Sequence, residues 1–272
     1  MEKQKYDKCI PDDFWKMTLE DCYAKNYLDA YSILARGFWC CENKPKEGKL
    51  LLTGINPSYD RTRDIPPTPF ADLKGGFWEK KKEQFGELWN DDTMSYLDLF
   101  PIRESDQRHF EQSFDNNEHV RSIRGNILKV TQDAIEEMKP LLIVHANKDS
   151  LYYWGIKKNT PAGDDANDYE HPWMGYKVKR VTLETYPDLP PCMLQDDRLS
   201  LFPLYEIVGF VDSDKRINHI ERQETNLKFI MEYVIDDRNR KYNGKLYQQN
   251  KEKKDWEEIW KWVQDHYAES HK

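Results

Sequence analysis

The sequence lacks the cysteine and histidine spacings that hold disulfides and metal ions in proteins. Its cysteines are odd in number, include two adjacent residues and form no CxxC pair, so they make neither a disulfide framework nor a zinc site. They are Cys9, Cys22, Cys40, Cys41 and Cys192. The seven histidines show no HExxH or other paired spacing. We therefore expect no metal site and no disulfide.

Long apolar runs are also missing. The chain contains no stretch of about 18 apolar residues, the length that a membrane-spanning helix needs. The first residues, MEKQKYDKCIPDDFW, contain no apolar segment of the kind found in signal peptides. We therefore expect a cytoplasmic protein that does not enter a membrane.

Motifs for nucleotide phosphates and activated nucleophiles are absent as well. The chain has no P-loop, no GxGxxG and no GxSxG elbow. The net charge of −8 argues against a protein that coats nucleic acid, because neutralising phosphates requires clustered Lys and Arg. One segment, LKGGFWEKKKEQFG at 73–86, holds three consecutive lysines. It predicts either a local basic groove or a solvated helix face.

The apolar pattern that is present predicts alternating strands and helices. Strands are expected at 49–55, 94–103, 141–146 and 204–212, with 176–184 as an edge strand. Helices are expected at 11–42, 120–138 and 221–235. This alternation favours an α/β fold with a mainly parallel central sheet covered on both faces.

Both ends of the chain read as additions to that fold. Residues 1–47 are expected to form a helical extension, with an apolar stripe of Leu19, Tyr23, Tyr27, Ala30 and Leu34. Residues 48–235 form the α/β domain, and 236–272 a linker and an amphipathic helix. The stripe of that last helix, Trp256, Ile259, Trp260, Val263 and Tyr267, predicts docking on the body of the protein, with partner binding as the alternative.

In parallel α/β folds, ligands bind beyond the carboxyl ends of the strands. We therefore expect four segments along one edge of the sheet: Gly54–Ser58, Phe100–Arg103, His145–Asn147 and Asp212–His219. Isolated histidines such as His145 are more often structural than catalytic.

Asn56 is the most informative residue on that edge. It follows a glycine, which permits close backbone approach, and precedes a proline, which fixes the chain. A rigid neutral amide can position water or the polar edge of a ring, but it is not a strong base. Such a group suits a reaction whose leaving group departs mostly unaided, such as glycosidic cleavage through an oxocarbenium-like state.

The segment LLLTGINPS resembles the first motif of the uracil-DNA glycosylase superfamily. It is closest to the mismatch-specific uracil/thymine glycosylases, whose motif reads GINPG, with Ser58 here in place of the last glycine. YLDLFPIR and KPLLIVHANKDSLYYWG follow in the order of that family's second and third strands. The resemblance covers roughly residues 48–235.

The resemblance implies a three-layer α/β/α sandwich with a base-sized pocket. It implies a hydrolase that flips uracil or a mismatched pyrimidine out of DNA and cleaves its N-glycosidic bond, with no cofactor. By this resemblance Asn56 places the attacking water, Tyr59 or Phe100 stacks on the base, and Asp98 or Arg103 lies near its polar edge. The other expected substrate-binding residues are Gly54, Ile55, Pro57, Ser58 and Asn147.

The sequence departs from the family at its second motif. HPSP or NPSG is not recognisable, and SDKRINHIERQE stands in its place, with Asn218 or His219 roughly where a donor would steady the departing base. A non-catalytic member of the fold that binds a nucleoside, a nucleotide or a protein is therefore the alternative. A basic groove beside Asn56, from Lys80 to Lys82 and Arg61 or Arg63, would favour binding of single- or double-stranded DNA. The sequence leaves the oligomeric state open.

Overall fold

The computed structural model describes residues 3–41, 47–61, 66, 68–157, 167–193, 204–218, 229–232 and 253–267. Its centre is a single sheet of six strands in the order β2-β1-β3-β6-β5-β4. The strands are β1 (Leu50–Gly54), β2 (Met94–Asp98), β3 (Leu142–His145), β4 (Tyr176–Arg180), β5 (Leu204–Phe210) and β6 (Phe229–Glu232).

The first three strands are parallel, with β1 between β2 and β3, and β6 continues the parallel set beside β3. Every residue of β1, β2 and β3 is buried, as expected of strands whose two faces are both covered. The predicted mixed α/β class is therefore confirmed.

Helices cover both faces of the sheet. They are α1 (Lys3–Asp7), α2 (Leu19–Ala24), α3 (Leu28–Leu34), α4 (Gly76–Phe85), α5 (Gln107–Asp115), α6 (Glu118–Met138) and α7 (Lys253–Tyr267). One hydrophobic cluster joins Leu51 and Ile143 of the sheet to α1, α3, α5 and α6. Another joins Leu50 and Leu52 to α4 and α7. Alternate residues of a strand point to opposite faces, so β1 supplies both clusters.

The long helix α6 was predicted at 120–138 and is confirmed, because its ends carry strong signals. The side chain of Asn117 caps its first turn by accepting from the backbone N–H of His119. Lys139 then adopts a left-handed conformation, and Pro140 follows.

The predicted single helix at 11–42 is wrong. The chain forms α2 and α3 there, and α1 lies before Pro11. A capping box between Thr18 and Asp21 starts α2. Asn26, with a positive φ of 58°, then separates α2 from α3. Two members of the predicted stripe, Leu19 and Tyr23, are consequently exposed.

The predicted helix at 221–235 is also wrong where the structure describes it. Residues 229–232 form β6, which pairs with both β3 and β5, so sheet pairing overrides the local helical pattern. Strand β5 runs antiparallel to β6. Its carboxyl end therefore lies at the opposite edge of the sheet from Gly54, and Asp212 does not share the predicted ligand edge.

The C-terminal helix docks as predicted. All five residues of its stripe are buried, and the ring of Trp256 lies 4.5 Å from that of Phe85 on α4. The predicted linker up to residue 252 lies outside the described residues. Among the described helices, none has both the length and the apolar character needed to cross a bilayer.

Candidate functional site

A cavity of about 770 Å³ opens at the carboxyl ends of β1, β2 and β3. We call it the Asn56 pocket. Its floor comes from the residues that end or follow these strands, and much of its wall comes from α4 and the turn before it. The lining comprises Trp39, Gly54, Ile55, Asn56, Pro57, Ser58, Thr68, Asp72, Leu73, Lys74, Phe77, Trp78, Tyr96, Asp98, Arg103, Gln107, Ala146 and Asn147.

The structure brings most of the predicted site residues together in this pocket. Those that line it are Gly54, Ile55, Asn56, Pro57, Ser58, Asp98, Arg103 and Asn147. They meet because parallel pairing aligns the ends of adjacent strands, with Gly54 opposite Asp98. The amide of Asn147 donates to Gln107, 2.7 Å away, which links the loop after β3 to the start of α5.

Gly54 is required by its neighbours on β2. A Cβ at this position would lie 2.6 Å from the hydroxyl of Tyr96 and closer still to the carboxyl of Asp98. The Tyr96 hydroxyl donates a 2.5 Å hydrogen bond to Asp98 Oδ1. The strand therefore ends on a glycine because a buried tyrosine–carboxyl pair occupies the space where a side chain would go.

Asp98 is an unusual carboxyl group for a pocket floor. It is only 4 % exposed, and this burial raises its pKa to about 7, although the hydrogen bond from Tyr96 acts in the opposite direction. Near neutral pH, part of the population is protonated and can donate a hydrogen bond as well as accept one.

Asn56 is held by its amino group. Nδ2 donates to the backbone carbonyl oxygens of Glu104, at 2.5 Å, and Ile102, at 3.3 Å. Because carbonyl oxygens only accept, the amino end of the amide has to face them. Oδ1 is buried and has no hydrogen-bond partner among the described residues. The amide is thus fixed at its donor end and unsatisfied at its acceptor end, in a residue that lines the pocket.

Other predicted residues lie elsewhere. Phe100, expected as a stacking residue, is fully buried in the core against the rings of Phe110 and Tyr153. Tyr59, the alternative, does not line the pocket, and its ring lies 4.5 Å from the Arg36 guanidinium. Asn218 donates to Gln132 on α6, away from the pocket. His219 lies outside the described residues.

His145 has a structural environment. Its Nδ1 lies 3.0 Å from the hydroxyl of Thr53 and 3.1 Å from that of Ser150, and the ring packs edge-on against Trp154. Burial lowers its pKa to about 3, so the ring is neutral at physiological pH.

The lysine run, which the sequence left open between a local basic groove and a solvated helix face, lies on α4, and none of its three lysines lines the Asn56 pocket. Lys81 is buried, which lowers its pKa to about 7, and it donates to Gln84. Lys82 pairs with Glu79 at 3.6 Å, whereas Lys80 and Arg61 are exposed. Arg63 lies outside the described residues.

Four residues of the pocket wall were not predicted as site residues, although three of them lie in the segment 73–86 that was singled out for its lysines. Trp39, Phe77 and Trp78 supply rings, and Lys74 supplies a positive charge. The GGFW segment at the start of α4 was a usable signal, because adjacent aromatic side chains can stack on the flat ring of a ligand. Nothing near Trp39 in the sequence points to a site almost 20 residues before the motif.

Comparison with known proteins adds no relative: no family model, curated protein or solved structure matches the chain. The described His, Cys, Asp and Glu residues form no group of three that could hold a metal ion. The function must therefore be inferred from the pocket.

Proposed function

We propose that the protein is an N-glycosidase of the uracil-DNA glycosylase type, which removes uracil or a mismatched pyrimidine from DNA. Within this proposal the mixed α/β fold is the three-layer sandwich of that superfamily, and Asn56 directs the attacking water. The observation that carries the proposal is the fixed amide of Asn56, a residue that lines a pocket with aromatic walls and whose Oδ1 has no partner among the described residues.

The chemistry asked of Asn56 is modest. Glycosidic bonds break through a transition state in which the sugar carries much of the positive charge, and water adds late. A neutral acceptor that orients water is then sufficient, and a strong base is not needed. Holding water in the correct place supplies the entropic part of the barrier.

The rest of the pocket suits a pyrimidine base. Phe77 and Trp78 offer ring faces or edges for stacking, which contributes about 1–3 kcal/mol per base. Asp98 can present both a donor and an acceptor to the polar edge of the base. That combination complements the N–H and C=O groups of uracil.

The test is a base-release assay on oligonucleotides carrying U:G, U:A, T:G or single-stranded U, followed by alkaline cleavage of abasic sites. We expect release by the wild type and at least a hundredfold loss in Asn56→Ala, because the water would no longer be positioned. Equal release by both proteins would refute the role of Asn56.

The matched control is Asn167→Ala. Asn167 is a buried asparagine outside the pocket, and its side chain bonds both backbone groups of Val178. We expect this variant to lose stability but to keep its activity per folded molecule. Similar losses in both variants would indicate unfolding rather than chemistry.

A binding protein on the same fold is the second candidate, favoured by the charge of the pocket. Among its described lining residues are two cationic side chains, Lys74 and Arg103, and two carboxyl groups, Asp72 and Asp98. Such a balance provides little general attraction for a phosphate backbone. Saturable binding of a nucleoside or nucleotide, with no base release from any oligonucleotide, would favour this candidate.

A further inference from the structure

Glu104 is a charged, nearly buried residue whose backbone contacts the side chain of Asn56. Its side chain is 9 % exposed, and its backbone carbonyl accepts the shortest hydrogen bond from the Asn56 amide. The carbonyl of Ile102, on the same segment, accepts a second at 3.3 Å, and that of Pro57 accepts a third at 3.4 Å. The orientation of Asn56 therefore depends on where the segment 102–104 lies.

Four donors converge on the Glu104 carboxylate. Oε2 accepts from the Arg36 guanidinium at 2.6 Å and lies 3.1 Å from His109 Nδ1. Oε1 accepts from the backbone N–H groups of Ser105 at 2.7 Å and Asp106 at 3.0 Å. Burial alone would oppose ionisation, but these hydrogen bonds hold the pKa of Glu104 at about 2. The group is therefore a carboxylate at physiological pH.

Arg36, which lies outside the motif, links the Glu104 carboxylate to the backbone of the pocket residue Arg103. The same guanidinium nitrogen also donates to the backbone carbonyl of Arg103, 3.1 Å away. The chain after Arg36 continues along the segment, with a bridge between Phe38 and Ile102 and a bond from Trp39 N to the Pro101 carbonyl. The N-terminal region thus holds the segment 101–104 in place.

The chain at 104–105 also bonds to the loop that carries Asn56, at Pro57 and Tyr59. The N–H of Glu104 donates to the carbonyl of Pro57 at 3.0 Å. The Ser105 hydroxyl accepts from the N–H of Tyr59 and donates to its carbonyl. A displacement of Glu104 would consequently move both the partners of the Asn56 amide and the loop that carries Asn56.

We infer that Glu104 is a positioning residue for Asn56, with Arg36 and His109 holding its carboxylate so that the carbonyls of Ile102 and Glu104 keep the Asn56 amide in its orientation. The inference rests on the proposed function for its chemical consequence, but the orientation of the amide can be measured without any substrate. Glu104 itself does not line the pocket and acts through the backbone.

The test follows the side-chain NH₂ signals of Asn56 by NMR, identified by their absence in Asn56→Ala. In Glu104→Gln we expect these signals to shift and their hydrogen exchange to accelerate at least tenfold, because Arg36 loses its ion pair and the carbonyls move. If base release occurs, kcat should fall about tenfold, with KM within twofold. Unchanged Asn56 signals in Glu104→Gln would overturn the inference, whatever the base-release assay shows.

Asp115→Asn is the matched control. It removes the charge from another ion pair, with the buried Arg124. In the part of the chain that the structure describes, the hydrogen bonds of Arg124 go to Glu111 and Asp115 on α5, and not to the segment 102–104 or the loop that carries Asn56. We expect it to lower the melting temperature while leaving the Asn56 signals unchanged. Should Glu104→Gln fail to fold, His109→Gln and Arg36→Lys give the same readout with smaller perturbations. The inference would also be overturned if His109→Gln and Arg36→Lys both left the Asn56 signals as they are in the wild type.

Discussion

At the scale of single residues, the Tyr96–Asp98 pair leaves room for no side chain at position 54, so the pair and Gly54 require each other. Gly54 is not among the residues with positive φ, so it is not needed for backbone freedom. It is needed because the hydroxyl and the carboxyl on β2 fill the place of a side chain. A glycine in a buried strand is thereby explained by packing across the strand pair.

We predict that Gly54→Ala destabilises the protein by about 1–3 kcal/mol, because the added methyl must displace Tyr96 or Asp98 in a packed interior. Gly76→Ala is the control, since a Cβ there meets nothing within 4 Å. We expect that variant to be as stable as the wild type or more so. Urea unfolding of the three proteins measures both effects, and equal midpoints would contradict the packing argument.

We also predict that Asp98→Asn flattens part of the dependence of stability on pH. Burial raises the pKa of Asp98 from 3.8 to about 7, so the folded protein retains a proton that the unfolded chain releases. This contribution is complete below about pH 4 and is lost as pH rises to 7, with a slope of about 1.4 kcal/mol per pH unit at most.

The asparagine keeps an acceptor for Tyr96 but cannot ionise. Its stability relative to the wild type should therefore rise between pH 4 and 7 and then level off, as followed by denaturant unfolding at several pH values. Parallel stability curves for the two proteins would show that Asp98 does not titrate in this range.

At the scale of elements, α4 has two functions on two faces. Phe77 and Trp78, in its first turn, line the pocket, whereas Phe85, at its end, packs against Trp256 of α7. The triple-lysine run was expected to be a single surface, but helical geometry turns successive residues by about 100°. Lys81 therefore points inward between exposed Lys80 and partly exposed Lys82.

We predict that Phe77→Ala weakens binding of a pyrimidine nucleoside about five- to a hundredfold, which corresponds to the loss of one stacking contact. Phe77 is 47 % exposed, so the cost in stability should be small. Tyr169→Ala is a close control, because that ring is equally exposed but does not line the pocket. Titration by intrinsic fluorescence measures both affinities, and equal weakening would exclude Phe77 as a specific contact.

At the scale of the whole molecule, prediction from the sequence worked where the signal was continuous along the chain. Strands β1 and β3 hold apolar runs at 50–52 and 142–144, β2 is apolar at three of its five positions, and the pocket residues that follow these strands were found together. Arg36, Trp39 and Glu104 could not be found in this way, because they act through contacts with distant segments. The direction of β5 and the existence of β6 depend on pairing partners, which no local pattern specifies.

We predict that Trp256→Ala lowers stability by about 3–5 kcal/mol, although it lies far from the motif in sequence. Trp256 is fully buried against α4, so its removal leaves a cavity behind the pocket wall. The control is Glu258→Ala, an exposed residue of the same helix. Thermal unfolding should separate the two variants by several degrees, and coincident curves would show that α7 contributes little.

The packing of α7 on α4 has a consequence for how the protein is made. Every described residue that lines the pocket lies at or before Asn147, so all of these leave the ribosome long before Trp256 is synthesised. Until then Phe85 has no helix to cover it, and the wall that carries Phe77 lacks its outer support. A nascent chain would therefore contain all the described pocket residues well before α7 could stabilise the wall that carries some of them, and ligand affinity should be among the last properties that translation confers.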